Sequence, residues 1–458
     1  MKAPLFHFDN SYSRLPKQFY ERMPPPPVRA PTMAIYNTAL AESLGLGAAV
    51  PAPEFFSGNA LPAGAEPIAQ AYAGHQFGHF NMLGDGRAVL LGEHLTPQGA
   101  RFDIQLKGSG PTPFSRRGDG RAALAPMLRE YVISEAMHAF GIPTTRSLAV
   151  VSTGETVNRD QPLPGAILTR VAASHIRVGT FEYAAASVEP NLVRTLAGYT
   201  LQRHFPELGK SDYLGLLRAV MHRQASLLAA WMNVGFIHGV MNTDNMALSG
   251  ETIDYGPCAF MDAYSPATVF SSIDRQGRYA YGNQPRIAEW NLTRLAEALL
   301  PLLSEREEDA VAIAKETLGT FQASFQEKWK LGMRAKIGFT GEQGDHLIPE
   351  LFSLMEKHEA DFTNTFRALS SGELRPELAD WGVRWKTLRP DLALMRSTNP
   401  AVIPRNHLVE KALESAAEGN DFAPLHRLLE VIQKPFEEAD ASFMQAGNEM
   451  GYQTFCGT

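Results

Sequence analysis

Apolar and polar positions along the chain fall into two regimes. Up to about residue 171, apolar residues gather in short runs bounded by turn formers. Residues 88–93 and 101–106 are two such runs, separated by the turn-rich Thr96-Pro97-Gln98-Gly99, and they predict an antiparallel hairpin. A helix follows: Pro126 suits a first helical turn, Leu124, Leu128, Tyr131 and Val132 recur at helical spacing, and Gly141 with Pro143 supplies the stop. Residues 147–152 and 166–171 predict two more strands, completing a sheet with one embedded helix. Beyond about residue 190 the period lengthens. Leu214, Leu217, Met221, Leu228 and Met232 trace one stripe that ends at Gly235, and from Glu289 onward helix formers dominate. A strand-rich first part and a helix-rich second part predict an α+β protein of two segregated lobes, 1–185 and 186–458, with a ligand cleft between them.

The 458 residues leave room for two lobes, and 44% hydrophobic with 20% charged residues is the composition of a globular chain. No apolar run approaches the ~20 residues of a membrane-spanning helix. With 42 basic against 49 acidic residues the net charge is -7, which argues against nucleic acid or an anionic membrane as partner. Two cysteines, Cys258 and Cys456, cannot build a disulfide framework or a four-thiolate zinc site. The first residues lack the continuous apolar core of a secretory signal, so a cytoplasmic location is expected.

Candidate chemistry concentrates at the turns. Gly84-Asp85-Gly86-Arg87 precedes the first hairpin strand, where bare backbone N–H groups could approach a phosphate and Arg87 add charge; an ordinary tight turn is the alternative. Lys107 ends the second strand and opens a Gly-rich loop, Gly108 to Arg121. From Lys107 to Arg129 there are five basic residues against one acidic, a local reversal of the global sign that suits a polyanion or, failing that, a solvated loop. Glu130 and Glu135 follow on the helix about 140° apart, so one can face the sheet and pair with Lys107 while the other is expected in solvent. Arg170 and Arg177 are further phosphate clamps or the arms of an interlobe salt bridge. In His238-Gly239-Val240-Met241-Asn242-Thr243-Asp244-Asn245, followed by Asp254-Tyr255-Gly256, Asn245 and Asp254 are hard oxygen ligands at a spacing that suits Mg²⁺, and Asp244 could accept a hydroxyl proton; an Asx-rich turn is the alternative. His75 and His79 imitate a zinc-helix spacing, but Gln76 and Gly78 make a packed turn the better reading.

These pieces carry a resemblance. Tyr72-Ala73-Gly74-His75-Gln76-Phe77-Gly78, Leu106-Lys107-Gly108-Ser109-Gly110-Pro111-Thr112-Pro113, Arg129-Glu130-Tyr131, Ser134-Glu135-Ala136-Met137 and the segment from His238 to Asn245 resemble, nearly end to end, the selenoprotein O (SelO/YdiU) family of pseudokinase-fold protein nucleotidylyltransferases. The resemblance implies a two-lobed protein-kinase-like fold with an extended helical C-terminal part. It implies a Lys107–Glu130 ion pair, Asp244 as proton acceptor, and Asn245 and Asp254 on Mg²⁺ or Mn²⁺. Gly84, Gly86, Arg87, Lys107, Asp119, Gly120, Arg170, Arg177 and Asp254 would then line ATP. Ordinary kinases place the base aspartate five residues before the metal asparagine; here that slot is Val240, which cannot take a proton. The family explanation is a reversed ATP that presents its α-phosphate, so that AMP is transferred to Ser, Thr or Tyr hydroxyls of proteins and pyrophosphate leaves. Uridylyl transfer from UTP with Mn²⁺, a small-molecule phosphotransferase and a non-catalytic nucleotide-binding pseudokinase are the alternatives. Where some members carry selenocysteine, third from the end, this chain has Cys456, and a reversible Cys258–Cys456 disulfide is expected as a redox control.

Overall fold

The computed structural model describes residues 5–189, 191–447 and 451–454. Its first part carries strands β1 (Tyr20–Arg22), β2 (Thr32–Tyr36), β3 (Ile68–Gln70), β4 (Ala73–Gln76), β5 (His79–Met82), β6 (Ala88–Leu95), β7 (Arg101–Lys107), β8 (Ala122–Ala123), β9 (Arg146–Asn158) and β10 (Pro162–Ala172). An antiparallel sheet runs in the order β1-β3-β6-β7-β10-β9-β2, with β8 pairing β10 beside it, and β4 and β5 form a separate hairpin. The predicted hairpin is β6–β7, closed where Thr96 N donates to Ala100 O at 2.8 Å. The two later strands are longer than their apolar runs, because β9 and β10 continue as a two-stranded arm past Ser152 and Ala166.

The pleat sorts side chains by period two. Leu91, Leu106, Val151 and Ile167 point into one cluster under the N-terminal segment, while their neighbours Leu90, Val150 and Leu168 point into the main core. Lys107, next to Leu106, therefore faces the main core, as do Gln105 and Arg170 two residues from Lys107 and Leu168. That face is covered by helix α1 (Leu124–Ala139), which also packs against the C-terminal helices Asn406–Gly419 and Ala423–Ile432. Burial on both sides explains why α1 carries an apolar surface wider than a single stripe. Its chain reverses at Gly141, whose φ of 74° places it in the left-handed region.

After β10 the chain is helical: α2 (Val178–Ala186), α3 (Leu192–His204), α4 (Tyr213–Asn233), α5 (Gln284–Leu303) and further helices as far as Met444. Leu217, Met221, Leu228 and Met232 of the predicted stripe lie on the buried face of α4, Leu214 at its start is half-buried, and the helix ends before Gly235 at φ 71°. Two short strands, β11 (Phe236–Ile237) and β12 (Ala259–Phe260), pair and bracket the loop that holds Asp244, Asn245 and Asp254. The protein is thus a mixed α/β molecule with a helical C-terminal part, and its main core runs continuously from the sheet through α1 into the helices. Among the described residues no helix is long and apolar enough to cross a membrane.

Candidate active site

The core-facing side of the sheet delivers cations to the place where the β11–β12 loop delivers carboxylates. Lys107 Nζ lies 2.6 Å from Glu130 Oε2 on α1 and 2.8 Å from Asp254 Oδ1. Arg170 Nη1 reaches the same Asp254 oxygen at 2.7 Å and Glu130 Oε1 at 3.4 Å, while Gln105 Oε1 accepts from its Nε and Nη2. Arg177, the residue before α2, donates from Nη1 to Asp254 Oδ2 at 3.0 Å and to Asp244 O at 2.8 Å, and its guanidinium lies 4.5 Å from the ring centre of Tyr72. Burial pushes the Asp254 carboxyl upward, but Lys107, Arg170 and Arg177 together outweigh it and hold the group well below the usual carboxylate range. Asp254 keeps a left-handed φ of 62°, a strained backbone state for a non-glycine residue that this ion cluster overdetermines.

Two other carboxyls behave differently. Burial pushes Asp244 and Asp85 each up to about 6, against the opposing pull of Arg177. Asp244 Oδ1 is buried with no hydrogen-bond partner. A Cβ at Gly74 would lie 2.3 Å from that oxygen, so only glycine lets the β4–β5 hairpin approach so closely. The hairpin is stitched to the loop by His75 N to Thr243 Oγ1 at 2.7 Å and Phe77 N to Asn242 Oδ1 at 3.1 Å. Asn245 donates through Nδ2 to Val240 O at 3.0 Å, which commits its amide nitrogen and leaves its carbonyl oxygen for another ligand.

These groups line a cleft of about 330 Å³, with Gly86, Arg87 and Val240 also on its wall. Of the residues singled out from sequence, Lys107, Arg170, Arg177, Asp244, Asn245 and Asp254 converge there, with Glu130 directly behind Lys107. Gly84, Asp119 and Gly120 are not on the cleft wall. Gly84 instead admits the Phe114 ring, which a Cβ would meet at 2.4 Å. Asp119 pairs with Arg159 at 2.8 Å and accepts from Arg121 N, and Gly120 closes its loop by accepting from Gly110 N at 3.0 Å. Arg116 and Arg117 are exposed, and Arg121 is engaged with Ser109 O. The expectation that Glu135 faces solvent fails: it is buried and grips Arg146 through two bonds of 2.8 and 2.6 Å, because β9 covers that side of α1. Asp85 and Gln105 were missed, although Asp85 lies inside the Gly-Asp-Gly-Arg turn and Gln105 shares the face of Lys107 by strand alternation.

His79 is exposed and His75 pairs with Glu182, and among the described residues no three His, Cys, Asp or Glu side chains converge as a metal cluster. The donors at hand, the uncommitted Asn245 Oδ1 and the Asp254 carboxylate, are hard oxygens; they fit a Mg²⁺-type ion that takes its remaining ligands from phosphates and water. Cys258 is buried and its thiol is pushed up to about 12 by burial, which outweighs Arg129. Cys456 lies outside the described residues. The nearest described part of the tail is Thr454, whose Oγ1 donates to Pro257 O at 2.8 Å.

Residues 4–380 match the family model described as "Protein adenylyltransferase SelO". The chain is 58% identical to the protein nucleotidyltransferase YdiU of Brevibacillus brevis, with 99% of this chain and 98% of that protein covered. It is likewise 58% identical to that of Syntrophotalea carbinolica, over 100% and 98%, and 57% identical to that of Geobacillus kaustophilus, over 98% and 99%. The chain therefore belongs to the SelO family and is an enzyme of the nucleotidyltransferase class.

Proposed function

We propose that this enzyme transfers AMP from ATP to Ser, Thr or Tyr hydroxyls of other proteins, on a kinase-like framework whose lobes are residues 1–185 and 186–458. The observation that carries the reading is the pairing of a triple cation site, Lys107, Arg170 and Arg177, with a catalytic slot filled by Val240. Three converging cations suit a leaving group more highly charged than ADP, and an apolar slot gives no base at the position ordinary γ-phosphoryl transfer uses. With the α-phosphate presented to the acceptor, the hydroxyl oxygen forms the new bond to phosphorus and the bond to the β,γ-pyrophosphate breaks. The proton passes to Asp244 Oδ1, a buried carboxylate oxygen with no hydrogen-bond partner. The charge on departing pyrophosphate is met by Lys107, Arg170 and Arg177, with Glu130 holding Lys107 in place. Gly86 and Arg87 flank the phosphates from the turn before β6. A Mg²⁺ or Mn²⁺ ion held by Asn245 and Asp254 would supply further neutralisation of phosphate charge.

The position of Thr454 beside Pro257 supports a brake in which Cys258 and Cys456 lose two protons and two electrons to a peroxide-type oxidant and form a disulfide. The test of the main reading is incubation with ATP labelled separately at the α and γ phosphates, with UTP in parallel. Addition of AMP to a protein substrate supports it. Addition of UMP in its place selects uridylyl transfer, γ-phosphate transfer selects a phosphotransferase, and binding without transfer a pseudokinase.

A further inference from the structure

Beyond Phe77 and Ile273 the cleft continues into a second pocket of about 500 Å³, since both residues line the two cavities. Its wall comes from the segment between β12 and α5 and from the first turns of α5. Three guanidinium groups line it, those of Arg275, Arg278 and Arg286, and none is within ion-pair reach of a carboxylate among the described residues. The one acid on the wall, Asp274, is buried and spent on backbone: its oxygens accept from Arg278 N at 2.9 Å and Tyr279 N at 2.8 Å. Arg278 lies 5.0 Å from the ring centre of Trp290, and its Nε is buried with no hydrogen-bond partner. Ile273, at the doorway, is 53% exposed. In a chain of net charge -7, a pocket that sets three arginines against the single carboxylate of Asp274 and opens onto the cleft is a local inversion of sign. The wall is also tied to the site, because Tyr279 Oη donates to Asn242 Oδ1 at 2.5 Å and the Phe77 ring packs edge-on against Tyr279.

We infer that this pocket docks an acidic stretch of the protein substrate, with Asp or Glu side chains within a few residues of the acceptor hydroxyl, so that Arg275, Arg278 and Arg286 select the sequence that is modified. The inference rests on the transferase reading above. Guanidinium groups bind carboxylates through paired N–H donors. An extended segment advances about 3.3 Å per residue, so neighbouring residues can occupy adjacent pockets while the hydroxyl enters the cleft.

The test uses the full-length enzyme and three versions of one Tyr-containing peptide, flanked by Asp and Glu, by Ala, or by Lys. Peptide affinity is read by fluorescence anisotropy, and AMP transfer from ATP and ATP affinity are read separately. Wild type should prefer the acidic peptide over the Lys peptide by about tenfold or more in Kd and KM. The exposed double substitution Arg275→Ala with Arg286→Ala should remove most of that preference while ATP affinity stays within about twofold, a Kd change smaller than tenfold by at least half a decade. Arg275→Glu with Arg286→Glu should turn the preference towards the Lys peptide, a gain that misfolding cannot imitate. Equal affinity of wild type for all three peptides would overturn the inference. So would a loss of ATP affinity in the alanine variant with peptide preference intact, which would give the pocket to the nucleotide. Discrimination in binding without transfer to any hydroxyl would keep the acidic-segment site and sink the transferase reading instead.

Discussion

Asp254 shows how much of the site one residue organises. Among the described residues it is the only carboxylate that touches Lys107, Arg170 and Arg177 together, and its two oxygens accept from all three. The isosteric Asp254→Asn keeps the shape and removes the charge, so transfer should fall by about a hundredfold or more as metal binding and cation positioning are both lost. Lys107 and Arg170 would then share Glu130 and Arg177 would keep only Asp85, 3.9 Å away, so triphosphate should stabilise the variant more than wild type. The rise in melting temperature on adding ATP in EDTA measures this directly, and a smaller rise in the variant would contradict it. Lys107→Ala, Arg170→Ala and Arg177→Ala each remove one charge-assisted contact worth about 1.5–3 kcal/mol, hence roughly 10- to 150-fold in ATP affinity or turnover. Unchanged values in all three, read by nucleotide titration and initial rates, would leave this cluster as a structural salt bridge. At this scale the sequence singled out Lys107, Glu130, Arg170, Arg177, Asp244, Asn245 and Asp254, whose side chains do cluster, but passed over Asp85 and Gln105 and included Asp119, which lies off the cleft wall. What was not legible was the choice between partners. Glu130 and Glu135 are alike on paper, and only the strand that covers each side of α1 decides that one meets Lys107 and the other Arg146.

Among elements, sequence pattern failed to find β1, β2, β3 and β8 of the sheet and, nearest the site, the β4–β5 hairpin. Ala73-Gly74-His75-Gln76-Phe77-Gly78 is short and glycine-rich, and its strand pairing is supported by bonds to Thr243 and Asn242, more than 160 residues away. Local propensity cannot register partners at that distance. Its function is close approach. Gly74→Ala would place a methyl 2.3 Å from Asp244 Oδ1, so the hairpin or the carboxylate must move. Transfer should fall by about tenfold or more while ATP affinity, set by cations on other elements, holds within about threefold; the split between kcat and nucleotide Kd is the readout. Helix α1 was legible because its residues set their own period and stop signal. Its anchoring was not: Arg129 donates to Cys258 O at 2.6 Å and to Glu410 at 2.7 Å, so the helix that carries Glu130 is fixed from the far end of the chain.

For the whole molecule, the two-part division into sheet and helices was visible as a change in hydrophobic period, whereas the continuous core across it depends on α1 being covered by helices about 280 residues later, as in the Arg129–Glu410 contact. One buried group outside the site makes stability depend on pH. Lys336 is buried beneath Phe366 and Phe362, its Nζ 4.1 and 5.4 Å from their ring centres, and burial pushes its ammonium down to about 7 from 10.5. Between these values the unfolded chain binds the proton and the folded chain does not, so stability rises with pH by at most about 1.4 kcal/mol per unit, reduced by the cation–π attraction. Lys336→Met should therefore stabilise the protein more at pH 7 than at pH 9.5, as read from urea midpoints; an equal gain at both would mean that the lysine stays charged. The central claim concerns which phosphorus is attacked, and mass spectrometry of a protein substrate incubated with enzyme, Mg²⁺ or Mn²⁺ and ATP labelled at either the α or the γ phosphate tests it most directly. The account predicts that the α label enters the substrate as AMP and the γ label leaves as pyrophosphate; appearance of the γ label on the substrate as phosphate would contradict it.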